Sequence, residues 1–359
     1  MRGFLAGLVP TRTGALLPAC NEDIEFRTLA MSHCSDALAN ELNAFLDTQD
    51  TGHPFQLPLW SGQKGSMFFL QSKGRIRWMS QAGIQYPAGR VLRPIHAFVV
   101  NKGPICDAIE TMDIGLRELV RTASAMGMSY IDIRPEWTGT FAESAEKLLA
   151  KTRWFPISGA SCSLRLDLTP TLDRLLASFR QSTRYEIRKS EAAGIAVTRA
   201  EKGTDLRDFL ELYSNMARSR GFVPEDTTFL ASLLQPILAD PSRGTFFLAH
   251  RDGELRGGVL IMRAGRRCWY VLGATAKNQE VNAGHLLQWC AIKWAKRIGC
   301  HEYDFGGYRE QGNGGPAFFK RGFCGRVVRF FAPHRYVLSP ARYRVFDLLT
   351  RVRRAAARD

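Results

Sequence analysis

Several familiar signals are missing from this 359-residue chain. No apolar run approaches the ~18–20 residues that a membrane-crossing helix needs, so no helical span is expected. Its eight cysteines (Cys20, Cys34, Cys106, Cys162, Cys268, Cys290, Cys300 and Cys324) form no Cys-x-x-Cys pair. Neither a zinc site nor a disulfide framework is indicated, and reduced cytoplasmic thiols are the simplest expectation. There is no Gly-x-Ser-x-Gly elbow, no Walker loop and no His-Glu-x-x-His. The seven histidines are dispersed, so no metal is expected; His285, Cys290, Cys300 and His301 read as packing residues. Acidic residues are few: 34 against 49 basic ones leave a formal charge of +15. That balance points to a polyanion, an anionic membrane surface or a phosphorylated substrate. Lysine is scarce too, only 11 of the 49, and arginine's planar fork suits phosphate, although such a bias also follows genome composition.

The length predicts two domains or one large one. Residues 1–20 read as a loose leader; Thr11-Arg12-Thr13-Gly14 interrupts the short apolar stretch that a secretion signal would need. Beyond it, two halves repeat one plan. Strands over Ser66–Gln71 and Arg75–Gln81 flank a Ser72-Lys73-Gly74 turn, and Ala97–Val100 forms another strand. A helix over Asp107–Met126 follows, stopped by Gly127, and Tyr130–Ile133 is the next strand. The second half shows strands at Gly244–His250, Leu255–Arg263 and Arg267–Leu272, a helix at Asn282–Ile298, Gly299, then a strand at Glu302–Phe305. Gly127 to Asp132 and Gly299 to Asp304 share one spacing, which indicates a duplicated unit. Between the halves, 171–193 is predicted as one helix whose polar face carries Arg180, Arg184 and Arg188 at i,i+4 steps. Those arginines are either a phosphate-facing ladder or a solvated face.

The densest unusual segment runs from Tyr303-Asp304-Phe305-Gly306-Gly307-Tyr308 through Gly312-Asn313-Gly314-Gly315 to Phe318-Phe319-Lys320-Arg321-Gly322-Phe323. Glycines let a ligand approach backbone N–H groups, and a lysine beside them suits a phosphate or a developing oxyanion. This order resembles the Fem family of aminoacyl-tRNA-dependent transferases, which build peptidoglycan cross-bridges from two GNAT-like domains. The resemblance extends from about Pro54 to Val328. It includes Pro54-Phe55-Gln56-Leu57-Pro58-Leu59-Trp60, Lys102-Gly103-Pro104-Ile105-Cys106-Asp107, Ser182–Lys189, Arg220-Gly221-Phe222 and Tyr270–Ala274. No long coiled-coil arm separates the halves, a departure that leaves tRNA docking open.

The resemblance implies an α/β (α+β) fold of two tandem GNAT-like domains, with mixed central sheets flanked by helices. It places a first domain at 21–165, a second at 166–334 that includes the 171–193 helix, and a segment 335–359 that packs back on the first. Lys320 then matches the lysine that contacts acceptor phosphates and the reacting centre. Lys64 matches an acceptor-cleft lysine, Tyr270 a substrate-contacting tyrosine and Arg220 an acceptor-binding arginine; Gly306 and Gly307 border the substrate.

The implied reaction moves an aminoacyl group from charged tRNA to an acceptor amine, a peptidoglycan precursor or small peptide, with no resident cofactor. Asp304 is the candidate base, set against a structural role. Coenzyme-A-dependent acyl transfer is the alternative. Its phosphate loop would fall on Gln279-Glu280-Val281-Asn282-Ala283-Gly284, where Asn282 replaces a glycine and Glu280 adds an unfavourable charge. From Lys320 to the end, eleven basic residues face two acidic ones. A final helix over Pro340–Ala357 is expected to dock through Val345, Phe346, Leu348, Leu349 and Val352, with its arginines attracting tRNA or an anionic membrane at the inner face.

Overall fold

The computed structural model describes residues 24–58, 65–86, 95–159, 162–224, 230–231, 237–238, 240–276, 281–308, 310 and 315–356, so the 1–20 leader lies outside it. In chain order the first elements are β1 (Ile24–Ala30), α1 (Asp36–Thr48), β2 (Ser66–Ser72), β3 (Arg75–Gln85), β4 (Ala97–Asn101) and β5 (Ile105–Cys106). Then come α2 (Ile109–Ala125), β6 (Tyr130–Arg134), α3 (Gly139–Leu149) and β7 (Phe155–Pro156). The next stretch holds β8 (Cys162–Asp167), α4 (Leu172–Ser178), α5 (Gln181–Ala192), β9 (Ala196–Arg199) and α6 (Gly203–Arg220). It continues with β10 (Gly244–Arg251), β11 (Glu254–Ala264), β12 (Arg267–Thr275), α7 (Gly284–Arg297), β13 (Glu302–Tyr308), α8 (Gly315–Arg321) and β14 (Arg326–Arg329). The chain finishes with β15 (His334–Val337) and α9 (Pro340–Ala356).

These elements form two compact units, Met1–Ala160 with Phe330–Asp359, and Ser161–Arg329. The first sheet has the order β1-β2-β3-β4-β6-β15-β7, with β5 also on β3; the second has β14-β8-β13-β12-β11-β10-β9. Aligned on their long helices, the two orders correspond strand for strand. In each, the parallel pair brackets that helix: β4 and β6 around α2, β12 and β13 around α7. The tandem α/β architecture with mixed sheets is therefore present. The boundaries differ from expectation: residues 162–165 belong to β8, which pairs with β13 and β14 and so joins the second sheet. The returning segment begins at Phe330, before 335.

Local sequence explains each joint. In α2, Met112, Leu116, Leu119 and Ala123 recur at helical spacing and are buried, and Gly115 lies so close to the sheet that a Cβ there would sit 2.4 Å from Trp78. Gly127 (φ 70°) and Gly299 (φ 82°) end the two long helices in the left-handed region. Two aromatic-rich cores result, one around Phe68, Trp78, Phe98 and Trp137, the other around Phe179, Trp289, Tyr303, Phe305 and Phe323.

The single helix expected over 171–193 is two. Phe179 is extended (φ −68°, ψ 153°) and drives its ring into the second core, against Trp289 at 5.6 Å and Phe323 at 5.1 Å. Anchoring that ring breaks the helix, and the Arg184 guanidinium donates to the freed carbonyls of Ala177 (3.0 Å) and Phe179.

The matching aspartates also find matching partners. Asp132 on β6 accepts two bonds from Arg335 of the adjacent β15, at 2.6 and 2.8 Å. Asp304 on β13 accepts from Arg165 Nε of the adjacent β8 at 2.8 Å. Both pairs stand directly across from each other in register, and both aspartates are buried. The repeat thus extends to a buried cross-strand ion pair.

Candidate functional site

In the second unit, β12 and β13 pair only from Arg267↔Glu302 to Trp269↔Asp304, although both strands run on. On the other side of β12 the register slips between Leu260 and Ile261, re-aiming Tyr270. Beyond the last pair lies a cavity of about 390 Å³. Its walls are Met216 and Arg220 of α6, Gly258 and Val259 of β11, Tyr270 and Gly273–Thr275 of β12, the start of α7, and Phe319 and Lys320 near the end of α8. A break in parallel pairing capped by a helix N-terminus is where an α/β sheet accommodates a ligand.

Lys320 is the charged centre of this site. Its Nζ donates to the Gly307 carbonyl at 2.7 Å and lies 5.9 Å from the centre of the Tyr270 ring. Burial pushes its pKa down to about 8, while the Asp304 charge opposes the fall. Tyr270 is shifted the other way: burial raises it to about 12, with Arg220 partly offsetting the effect. Its phenol therefore remains a hydrogen-bond donor at neutral pH. Gly306 takes φ 69°, and a Cβ there would lie 3.2 Å from the Tyr270 carbonyl oxygen. That backbone shape swings the Gly307 carbonyl to Lys320, and only glycine adopts it without strain.

Asp304 stands apart from the cavity. It is 1% exposed, and besides Arg165 it accepts from Ser163 Oγ and from the Gly306 N–H at 2.8 Å. Its acceptor sites are engaged, and its twin Asp132 makes the same pair in a unit whose sheet does not open there. Of the two roles the sequence left open, base or structural support, these contacts fit the second: Asp304 holds the Gly306 turn. Among the described cavity-lining residues none is a carboxylate or an imidazole.

Arg220, in the last turn of α6, stands exposed at the cavity wall. The three arginines of the 171–193 segment stand in different surroundings. Arg180 caps α5 and donates its backbone N–H to Gly322 at 2.9 Å, Arg184 is committed to carbonyls, and Arg188 is exposed on α5. Lys64, Gln279, Glu280 and Gly312–Gly314 lie outside the described residues. No cluster of metal-ligating side chains occurs among the described residues. At α7, Asn282 Oδ1 accepts from the Gly284 N–H at 2.8 Å, filling part of the N-terminal cradle.

Sequence reasoning missed Gln288, which is 2% exposed, accepts from the Tyr303 hydroxyl at 2.7 Å and lines the cavity. A glutamine amid the apolar residues of α7 was the available signal. In the first unit, Gln56 of the Pro54–Trp60 motif serves the architecture, and Leu59 and Trp60 lie outside the described residues. Gln56 is buried and donates to the carbonyls of Asn101 (2.7 Å) and Gln81 (3.4 Å), while accepting from Gln81 N–H at 2.7 Å. It fills the place where β3 changes partner from β5 to β4, against Gly103.

Fold and cavity together define a tandem GNAT-fold protein with one open strand split. Residues 177–321 match the acetyltransferase (GNAT) domain family. A UDP-N-acetylmuramoylpentapeptide-lysine N(6)-alanyltransferase of Weissella viridescens is 26% identical over 148 residues, 41% of this chain; the match spans under half, 44%, of that relative's length. The crystal structure of FemX superposes with a TM-score of 0.75 at 17% identity, covering 89% of this chain and 99% of that one. A tandem GNAT protein from the clavulanic acid pathway gives 0.54 at 12% identity, covering 89% and 99%. Residues 177–321 are thus similar to a GNAT acetyltransferase domain and, in part, to a Fem-type alanyltransferase, and the whole chain shares the fold of FemX.

Proposed function

We propose that this protein is an aminoacyltransferase that moves an aminoacyl group from charged tRNA to an acceptor amine. The observation that carries the reading is Lys320, a half-buried cation held on the Gly307 carbonyl at the strand split, beside Tyr270 and without a carboxylate on the described cavity wall. An aminoacyl ester is already activated, so its aminolysis needs positioning and oxyanion stabilisation more than a strong protein base. The acceptor nitrogen attacks the ester carbonyl, the C–N bond forms and the ribose oxygen leaves. The proton lost by the amine ends on that oxygen, passed through a phosphate or carboxylate of the acceptor. Lys320 stabilises the oxyanion or an acceptor phosphate, Tyr270 donates to substrate, and Arg220 attracts phosphate. Similarity to the Weissella alanyltransferase supports a phosphorylated cell-wall precursor as acceptor; the proposal adds Lys64 as a further contact and invokes no resident cofactor.

Two observations favour a second reading, acyl-CoA-dependent N-acyl transfer. The start of α7 lines the cavity, as a pyrophosphate site would require, and residues 177–321 match an acetyltransferase domain. Against it, Asn282 Oδ1 already occupies the Gly284 N–H. A label-transfer assay with charged tRNAs and with acyl-CoAs as donors decides between them. We expect ribonuclease-sensitive transfer from tRNA; labelling from acyl-CoA alone, unaffected by ribonuclease, establishes the second reading.

A further inference from the structure

The terminal helix α9 docks by a different face from the one its sequence advertises. Tyr343 and Phe346 lie inward, their rings 5.9 and 5.3 Å from Tyr130 of β6, and the Arg335 guanidinium sits among all three rings. Arg342 fastens the first turn by donating to the Gly127 carbonyl at 2.7 Å. The apolar residues Val345, Leu348 and Val352 point away from this contact and are 47%, 62% and 59% exposed. Spaced at i, i+3 and i+7, they form one continuous outward stripe. Arg344 and Arg351 are exposed along its border. The helix sequence holds five arginines against a single aspartate, Asp347, which pairs with Arg351 at 2.8 Å.

We infer that the outer face of α9 is a peripheral docking surface for an anionic lipid bilayer. A stripe of large aliphatic side chains bordered by arginines suits the boundary between acyl chains and charged headgroups: the aliphatic groups enter the boundary while the guanidinium groups meet lipid phosphates. Polyanionic RNA would attract the same arginines but offers no reason for Leu348 and Val352 to stand in water. A second copy of this chain could bury the stripe, but its own arginine border would face an equally basic border across a two-fold axis. The observations therefore favour the membrane. This inference is independent of the donor used in the second unit.

The test is flotation of the full chain with vesicles of phosphatidylcholine alone and of phosphatidylcholine mixed equally with phosphatidylglycerol. We expect at least about tenfold greater partition onto the anionic vesicles at low salt. Leu348→Gln with Val352→Gln should lower that partition about tenfold while leaving the thermal midpoint and RNA binding unchanged, since both side chains are exposed. Arg344→Gln with Arg351→Gln should weaken it at low salt and converge with wild type as salt rises. Wild-type partition by the Leu348/Val352 variant overturns the inference, as does an equal loss of RNA binding. So does a wild-type dimer by light scattering that becomes monomeric in that variant while vesicle partition is unchanged.

Discussion

In the proposed reaction, Lys320 concentrates the chemistry in one partly buried ammonium. With its pKa pushed down to about 8, the lysine is mainly charged at neutral pH and loses its proton just above it. A reaction that needs the cation therefore declines as pH rises through about 8, and the kcat/KM profile should show that limb. Lys320→Ala should cut kcat by about 10²–10³-fold, the scale set by losing one oxyanion donor, with the fold intact. The stability effect has a definite sign. The unfolded chain keeps the proton up to the ordinary lysine value of 10.5, so the cost of holding a charged Lys320 is fully present below about pH 8. It fades between about 8 and 10.5, and wild type gains stability across that window. Lys320→Met should thus melt higher than wild type at pH 7, with the gap closing toward pH 10. Melting curves across that range check this.

Among the elements, the paired strands β6–β15 and β13–β8 show what a carboxylate on a strand is for. Removing one member of a buried pair leaves an uncompensated charge, so Asp304→Ala should destabilise the protein by about 3–5 kcal/mol. Asp132→Ala should act in the same direction, with Arg335 slightly more exposed and the loss smaller. Denaturant melts measure both. Comparing Asp304→Ala with Lys320→Ala then separates loss of fold from loss of turnover. Legibility in the sequence followed the range of each interaction. The hairpins at Lys73-Gly74 and Asp252-Gly253, the glycine-stopped helices and the strands after them are local, and they match the observed elements closely. Asp304 was visible, but its partner Arg165 lies 139 positions earlier and could not be paired with it by spacing. The 171–193 segment has an unbroken helical pattern, yet burying the Phe179 ring outweighs continuity there. The α9 stripe was apparent too, but a helical pattern does not say which of two apolar faces meets the sheet. Lys320 was legible because glycines and aromatics crowd around it; Gln288 had the weaker signal of a lone glutamine in an apolar helix, which does not by itself say that the side chain faces a cavity.

At the scale of the whole molecule, one plan occurs twice with different outcomes. In the second unit the parallel strands part and leave a cavity; in the first, β4 and β6 stay paired from Ala97↔Tyr130 to Asn101↔Arg134, and Gln56 fills the break in β3's pairing. The excess positive charge is likewise uneven along the chain, with eleven basic residues against two acidic ones from Lys320 onward. Replacing Gln56 with alanine would leave Gln81 N–H and the Asn101 carbonyl without their present partner, a cost of about 1–3 kcal/mol that a denaturant melt would register.

The place of β15 in the first sheet has a consequence for how the chain comes into being. A ribosome delivers all of Ser161–Arg329 before it delivers His334–Val337, the strand that supplies Arg335 to Asp132. The half made first must therefore wait, its sheet unclosed and Asp132 without Arg335, while the half made later can already be complete. This reverses the usual order in which domains mature from the N-terminus. A nascent chain stalled so that residues up to about 330 have left the exit tunnel should resist brief proteolysis across 161–329 and be cut readily within 24–159. Protection of the first half should arrive only when the final strand emerges.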